Sequence, residues 1–152
     1  EYEYSAKVKD IEPFINYCKE NNYKLISKTH QKRILYKNKN KILARVTTIT
    51  DEKCRNIFLD FKDENESDDI LKVSRESGKI NVNDNMNFVN AILSMLEFDF
   101  YKELNRQRYV YVKDNVKFEI DEYSKPEMKV VGIEGKKEEV DEVYNELKNI
   151  LN

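Results

Sequence analysis

Charged side chains recur in this sequence at strand-like spacing, and many fall on one parity of alternating segments. Glu1, Glu3 and Lys7 share a face of the first segment. Arg45 lies between Ala44 and Val46, Lys62 shares a face with Asp60, and Arg75 lies on the segment after that. Arg106 and Arg108 share a face further on, Glu119 and Asp121 share another opposite Phe118 and Ile120, and Glu134 ends the last alternating run. Both signs on the same faces suit one chemistry in particular. Lysine and arginine take phosphate oxygens, clustered carboxylates hold a hard divalent cation, and a phosphate compound bound with magnesium needs both. The plainer alternative is the solvent side of an antiparallel sheet, where charges of either sign collect.

The elements that must position these residues are mostly strands. Glu1 to Val8 alternates Glu1, Glu3, Ser5 and Lys7 with Tyr2, Tyr4, Ala6 and Val8, a strand with one wet face. Asp10 then precedes Ile11, Phe14, Ile15 and Cys18, spaced for one side of a short helix with Pro13 in its first turn, and Asn21-Asn22 ends it. β-branched and aromatic residues predict strands over Lys24–Tyr36, Lys41–Thr50 and Arg55–Lys62, with Lys37-Asn38-Lys39-Asn40 as a hairpin turn. The acidic run Asp63 to Asp69 reads as a loop, and Ile70 to Val82 carries a further strand around Ser77-Gly78.

Asp84 is placed to cap a helix whose apolar face is Phe88, Val89, Ile92, Leu93 and Leu96. Strands follow over Phe100–Lys113 and Val116–Tyr123, turned by Asp114-Asn115, and then over Met128–Glu134. Gly135 breaks the last strand, and a closing helix presents Val140, Val143, Tyr144, Leu147, Ile150 and Leu151. About eight strands with a few helices make an α+β chain, and antiparallel sheets of that size tend to close into a barrel. The predicted fold is a closed antiparallel β-barrel with flanking helices, a single domain over residues 1–152.

Composition narrows the partners. Lys and Arg number 27 against 29 Asp and Glu, a formal charge of −2, which argues against a nucleic-acid surface. No apolar run approaches the ~20 residues of a membrane span. Cys18 and Cys54 lack metal-ligand spacing and His30 is the single histidine, so structural zinc is not expected. Both thiols read as buried in a reducing compartment, and with no signal-peptide pattern the expected location is cytoplasmic. His30, beside Lys28, Lys32 and Arg33, reads as a solvated strand-end side chain, and Tyr109 and Tyr111 as packing beneath a helix.

Taken in order, these residues resemble the CYTH superfamily, the triphosphate tunnel metalloenzymes that include class IV adenylyl cyclases, thiamine triphosphatases and tripolyphosphatases. Glu1-Tyr2-Glu3-Tyr4-Ser5 begins the family's Glu-x-Glu-x-Lys strand, and Ile42-Leu43-Ala44-Arg45 looks like its Leu-Arg-x-Arg strand. Asp60-Phe61-Lys62 is similar to Thr-x-Lys, and Arg75 falls where the next strand carries an arginine. Arg106-Gln107-Arg108-Tyr109-Val110-Tyr111 matches Lys-x-Arg-x-x-Tyr, Phe118-Glu119-Ile120-Asp121 the Asp-containing strand, and Gly132-Ile133-Glu134-Gly135 the closing Glu-x-Glu-Gly. The resemblance covers nearly the whole chain.

The resemblance implies a tunnel in which Lys7, Arg45, Lys62, Arg75, Arg106 and Arg108 bind phosphate. It implies Mg²⁺ or Mn²⁺ held by Glu1, Glu3, Asp121 and Glu134, with Glu119 as a further candidate. Attack by water would make the chain a phosphohydrolase of a triphosphate compound; attack by a ribose hydroxyl would make it an adenylyl cyclase. The expected partner is the small-molecule triphosphate, with neither nucleic acid nor membrane, for a monomer or homodimer. Departures accompany the matches: Ser5 replaces the motif's Lys, Leu43 the first paired Arg, Ser77 a Glu and Gly132 the first closing acid, while Arg33 stands where an Asp is expected. Lys7, on the same face as Ser5, is the candidate to replace the lost catalytic lysine. With enough losses the site would become a non-catalytic tunnel that binds nucleotide or polyphosphate.

Overall fold

The computed structural model describes residues 2–63 and 75–151, with Arg75 and Leu151 described in backbone only. Its elements in order are β1 (Tyr2–Val8), α1 (Glu12–Glu20), β2 (Lys24–Lys37), β3 (Ile42–Thr50), β4 (Arg55–Asp63) and β5 (Arg75–Glu76). They continue as β6 (Ile80–Asn81), α2 (Met86–Met95), β7 (Asp99–Lys113), β8 (Val116–Lys125), β9 (Glu127–Gly135) and α3 (Lys137–Leu151). The α+β class and the antiparallel sheet are as the sequence predicts. Eight strands follow the hydrogen-bonded path β1-β9-β8-β7-β2-β3-β4-β5, and β6 pairs with β4 beside it. Among the described residues no pairing joins β5 back to β1, so hydrogen bonds do not close the sheet.

The chain divides into two compact units, Glu1–His30 with Asn105–Asn152, and Gln31–Leu104. In the first, register sets an apolar row, with Tyr4 opposite Ile133, Ile133 opposite Phe118, and Phe118 opposite Tyr111. Val131 and Ile120 form the next row. Phe14, Ile15 and Cys18 of α1 and Val140, Val143 and Leu147 of α3 complete this core. Phe118 and Ile120 are fully buried, and each such side chain stabilises by about 1.5–3 kcal/mol. Tyr109 and Tyr111 pack here, as expected. Gly135 ends β9 where a Cβ would lie 2.7 Å from the Asn115 carbonyl oxygen, so a side chain there would push away the β7–β8 turn.

The second unit has its own core of Ala44, Val46, Leu59, Val82, Val89, Leu93 and Phe98. Here two expectations need correction. Asp84 adopts a left-handed φ of 63° and turns the chain, leaving Asn85 at the cap position of α2. The apolar stripe of α2 is also narrower than predicted: Val89 and Leu93 are buried, but Phe88 is 66% exposed and Leu96 lies past the helix end. Residues 88 and 89 stand about 100° apart around a helix, so one faces inward and the other outward. At α1, Asp10 accepts the Glu12 N–H at 3.0 Å although Ile11 holds the cap position.

Three other differences are local. The expected strand over 70–82 is broken in its described part, where Ser77-Gly78-Lys79 separates β5 from β6 and Gly78 takes a φ of 75°. The acidic run beyond Asp63 lies outside the described residues. His30 is exposed within β2 rather than at its end.

The two thiols differ. Cys18 is buried, which pushes its pKa up to about 12, whereas Cys54 is exposed in the β3–β4 turn, against the expectation that both are buried. A disulfide reagent at pH 8 should therefore titrate Cys54 alone in the folded protein and both thiols after unfolding in guanidinium. Rapid native reaction of Cys18 would contradict this packing.

Candidate functional site

The parity that puts Phe118 and Ile120 in the core turns Lys117, Glu119 and Asp121 to the other face of β8. Register aligns three rows there. Glu3 is opposite Glu134 and Glu134 opposite Lys117; Ser5 is opposite Gly132 and Gly132 opposite Glu119; Lys7 is opposite Val130, Val130 opposite Asp121, and Asp121 opposite Arg108. All of these residues belong to the first unit.

The side chains on this face form an alternating line of charge. Lys117 Nζ lies 3.0 Å from Glu134 Oε2 and 2.9 Å from Glu119 Oε1. The other Glu119 oxygen is 2.8 Å from Arg108 Nη1. Arg108 then grips Asp121 with both arms, Nε to Oδ1 and Nη2 to Oδ2, each at 2.8 Å. Arg106 Nη1 lies 3.6 Å from Asp121 Oδ2 and donates to Tyr123 Oη at 2.8 Å. The arginine end of the line is the sequestered one: Asp121 is 4% exposed, and the Arg106 and Arg108 side chains 16% and 22%. Such a bidentate pair is among the stronger hydrogen-bonded contacts a protein makes, and it also fixes geometry.

Glu3 completes the acidic end. Its pKa is raised from the ordinary carboxylate value by desolvation and by the Glu134 and Glu119 charges, against the pull of Lys117 and Arg108. Its carboxylate lies over Gly132, where an added Cβ would sit 3.4 Å from Glu3 Oε1. Lys117 stands between Glu119 and Glu134, and among the described residues no three carboxylates, histidines or cysteines converge on one point. Hydrogen bonds to Glu119 and Glu134 hold Lys117 charged, with its pKa above its usual value. Glu1 lies outside the described residues. Lys7 is exposed on the same face as Ser5, as parity predicts.

The second unit carries a separate pair. Arg45 and Asp60 are opposite in register and joined in a bidentate ion pair, with Arg45 Nε 3.0 Å from Asp60 Oδ1. Arg45 Nη2 also lies 3.6 Å from Glu76 Oε1. Lys62 is opposite Leu43 on one side and Glu76 on the other, so the position of the absent arginine is apolar and buried. Arg33 donates to Thr47 Oγ1 at 3.0 Å. Arg75 is placed on β5, opposite Asp63.

Of the residues named from sequence, Arg106, Arg108, Glu119, Asp121 and Glu134 come together in one network, with Glu3 in electrostatic reach. Sequence reasoning missed Lys117, Tyr123 and the acceptor role of Asp60. Lys117 shares the parity of Glu119 and Asp121, which was signal enough; the resemblance gives roles on that strand to acids alone and passes over it.

No protein-family profile and no curated protein sequence matches the chain. Solved structures do. The PH1012 protein of Pyrococcus horikoshii is 18% identical with a TM-score of 0.69, over 99% of this chain and 90% of that one. A candidate adenylate cyclase from Vibrio parahaemolyticus is 10% identical with a TM-score of 0.59, over 95% and 82%. A chain of the Schizosaccharomyces pombe Mediator head module is 10% identical with a TM-score of 0.63, over 99% and 95%. At these identities the likeness is one of fold, shared by a candidate enzyme and a component of a multiprotein assembly.

The burial of the Arg108–Asp121 pair makes a stability prediction. Arg108→Ala should cost about 3–5 kcal/mol in urea unfolding, because it strands a buried carboxylate, and Arg108→Leu with Asp121→Leu should recover most of the loss. A single-variant cost below about 1 kcal/mol would mark the pair as an ordinary surface contact.

Proposed function

We propose that this chain, as one domain over residues 1–152, is a triphosphate-tunnel-like domain that binds the phosphates of a small-molecule triphosphate through Arg106 and Arg108, with Lys7 of the same unit as a further contact. The observation that carries the reading is the sequestration of Arg106, Asp121 and Arg108. A merely solvated sheet face has no reason to bury charges, whose desolvation is costly and is commonly retained at functional sites. The fold shared with a candidate adenylate cyclase supports the same reading. Closure of the sheet into a tunnel, a cytoplasmic location, a monomer or homodimer, and freedom from nucleic-acid and membrane partners belong to the proposal.

Binding without turnover is the form the geometry favours. Ser5 and Gly132 lie directly opposite each other on β1 and β9, so the two motif side chains they replace, a lysine and an acid, are missing from adjacent positions. Loss of a transition-state contact commonly costs two or three decades in rate, and here two are lost at one place. Arg108 commits three of its five N–H donors to Asp121 and Glu119, so an incoming phosphate competes with those carboxylates or takes the remaining donors. The second reading is Mg²⁺- or Mn²⁺-dependent hydrolysis of the triphosphate, or cyclisation of ATP. Retention of Glu3, Glu119, Asp121 and Glu134 supports it.

Calorimetric titration with tripolyphosphate, ATP and thiamine triphosphate, with product assays on the same samples, separates these readings. The expected result is binding without release of phosphate or cyclic AMP, weakened about ten- to a hundredfold in Arg106→Ala, as for loss of a charged hydrogen bond. Product release abolished by Glu3→Gln would establish the second reading. No binding of any of the three compounds would return the face to a plain charged surface.

A further inference from the structure

The acidic end of the charged line already contains a cation. Lys117 and Glu134 are opposite each other in register on β8 and β9, and Glu119 is two residues along the same face of β8, so the backbone brings both carboxylates to one ammonium. Lys117 Nζ meets them at 2.9 and 3.0 Å, one oxygen from each. We infer that the Lys117 ammonium takes the place of a divalent cation between Glu119 and Glu134, so that this face binds an anionic ligand without a resident metal.

Four observations support the substitution. The line Glu134, Lys117, Glu119, Arg108, Asp121, Arg106 alternates in sign, so Glu119 and Glu134 each already have a cation against them. A divalent ion drawn to Glu119 and Glu134 would meet the ammonium that both carboxylates already hold and be repelled at close range. Among the described residues no three metal-ligating side chains converge elsewhere. Finally, the Lys117 side chain is 38% exposed and uses two of its three N–H donors on the glutamates, leaving one for an anion. An ammonium is a compact, strongly hydrated point charge on a flexible stem, so it can hold two carboxylates and still turn a proton toward a phosphate oxygen. The consequence for ligand binding rests on the triphosphate reading above; the occupancy by Lys117 does not.

Mn²⁺ alone, followed by electron paramagnetic resonance with the full chain, tests the occupancy. The wild type and Lys117→Arg should leave the free-ion signal undiminished. Lys117→Met, with Lys117→Gln as the polar variant should the apolar one fail to fold, should bind about one Mn²⁺ and lose it again when Glu119→Gln is added, as metal affinity follows ligand number. Glu119-dependent Mn²⁺ binding by the wild type, or no gain in either folded Lys117 variant, would overturn the inference. A second arm measures wild-type affinity for tripolyphosphate in EDTA and in Mg²⁺, expected to agree within about twofold. Tightening by tenfold or more in Mg²⁺ (about 1.4 kcal/mol) would overturn metal-independent binding and leave the triphosphate reading intact. Absence of tripolyphosphate binding alongside the expected Mn²⁺ result would overturn that reading and leave the role of Lys117 standing.

Discussion

A sequestered charge must have its partner, and the first unit is arranged around that requirement. Asp121 is almost wholly buried and is held by both arms of Arg108. For the two to meet, residue 121 of β8 must lie opposite residue 108 of β7, and that register fixes the pairings from Arg106 to Lys113, up to the shift between Asn105 and Arg106. A slip of β8 by one residue would turn Phe118 and Ile120 out of the core and Asp121 away from Arg108. The ion pair and the apolar rows beneath α1 and α3 therefore specify the same alignment from opposite faces, a local and global agreement expected of a sequence with one native state. Electrostatics on one face and hydrophobic burial on the other describe the same register.

Much of this was legible in the sequence because a strand writes its two faces in alternate residues. The split of Phe118 and Ile120 from Glu119 and Asp121, and of Tyr109 and Tyr111 from Arg106 and Arg108, follows directly from period two. The amphipathic stripe of α3 was readable for the same reason, and Val140, Val143 and Leu147 are buried as it requires, but Ile150, expected on the same stripe, is exposed in the last turn. Two kinds of feature were not legible. Parity cannot tell a wet face from a sequestered one, so the burial of Asp121 and the bidentate geometry had to come from three dimensions. Register across strands distant in sequence was equally hidden. Nothing in the order of residues places Ser5 opposite Gly132, since that contact joins the first strand to the last.

The short helix α2 shows a different limit. Phe88 and Leu96 were assigned to its buried stripe, but ten residues offer fewer than three turns, and Val89 with Leu93 already covers the apolar surface beneath. Asp84 misled for a related reason. Aspartate favours both helix caps and left-handed turns, and tertiary context decided between them. In the same way, a shared fold carries several unrelated uses, and the neighbours of this chain span a candidate cyclase and a Mediator component. What distinguishes this chain is the charged line itself, with Ser5 opposite Gly132 beside it, more than the architecture that displays them.

The central claim is that the Arg106 and Arg108 guanidinium groups are the ones that receive a triphosphate. Nitrogen-detected magnetic resonance of arginine Nε–H groups, during titration with tripolyphosphate in EDTA, reports on them one by one. The account predicts that the Arg106 and Arg108 resonances shift together and saturate with the same affinity that calorimetry measures, while Arg55, exposed at the start of β4, stays in place. Binding that leaves both resonances unmoved would place the ligand elsewhere and contradict the account.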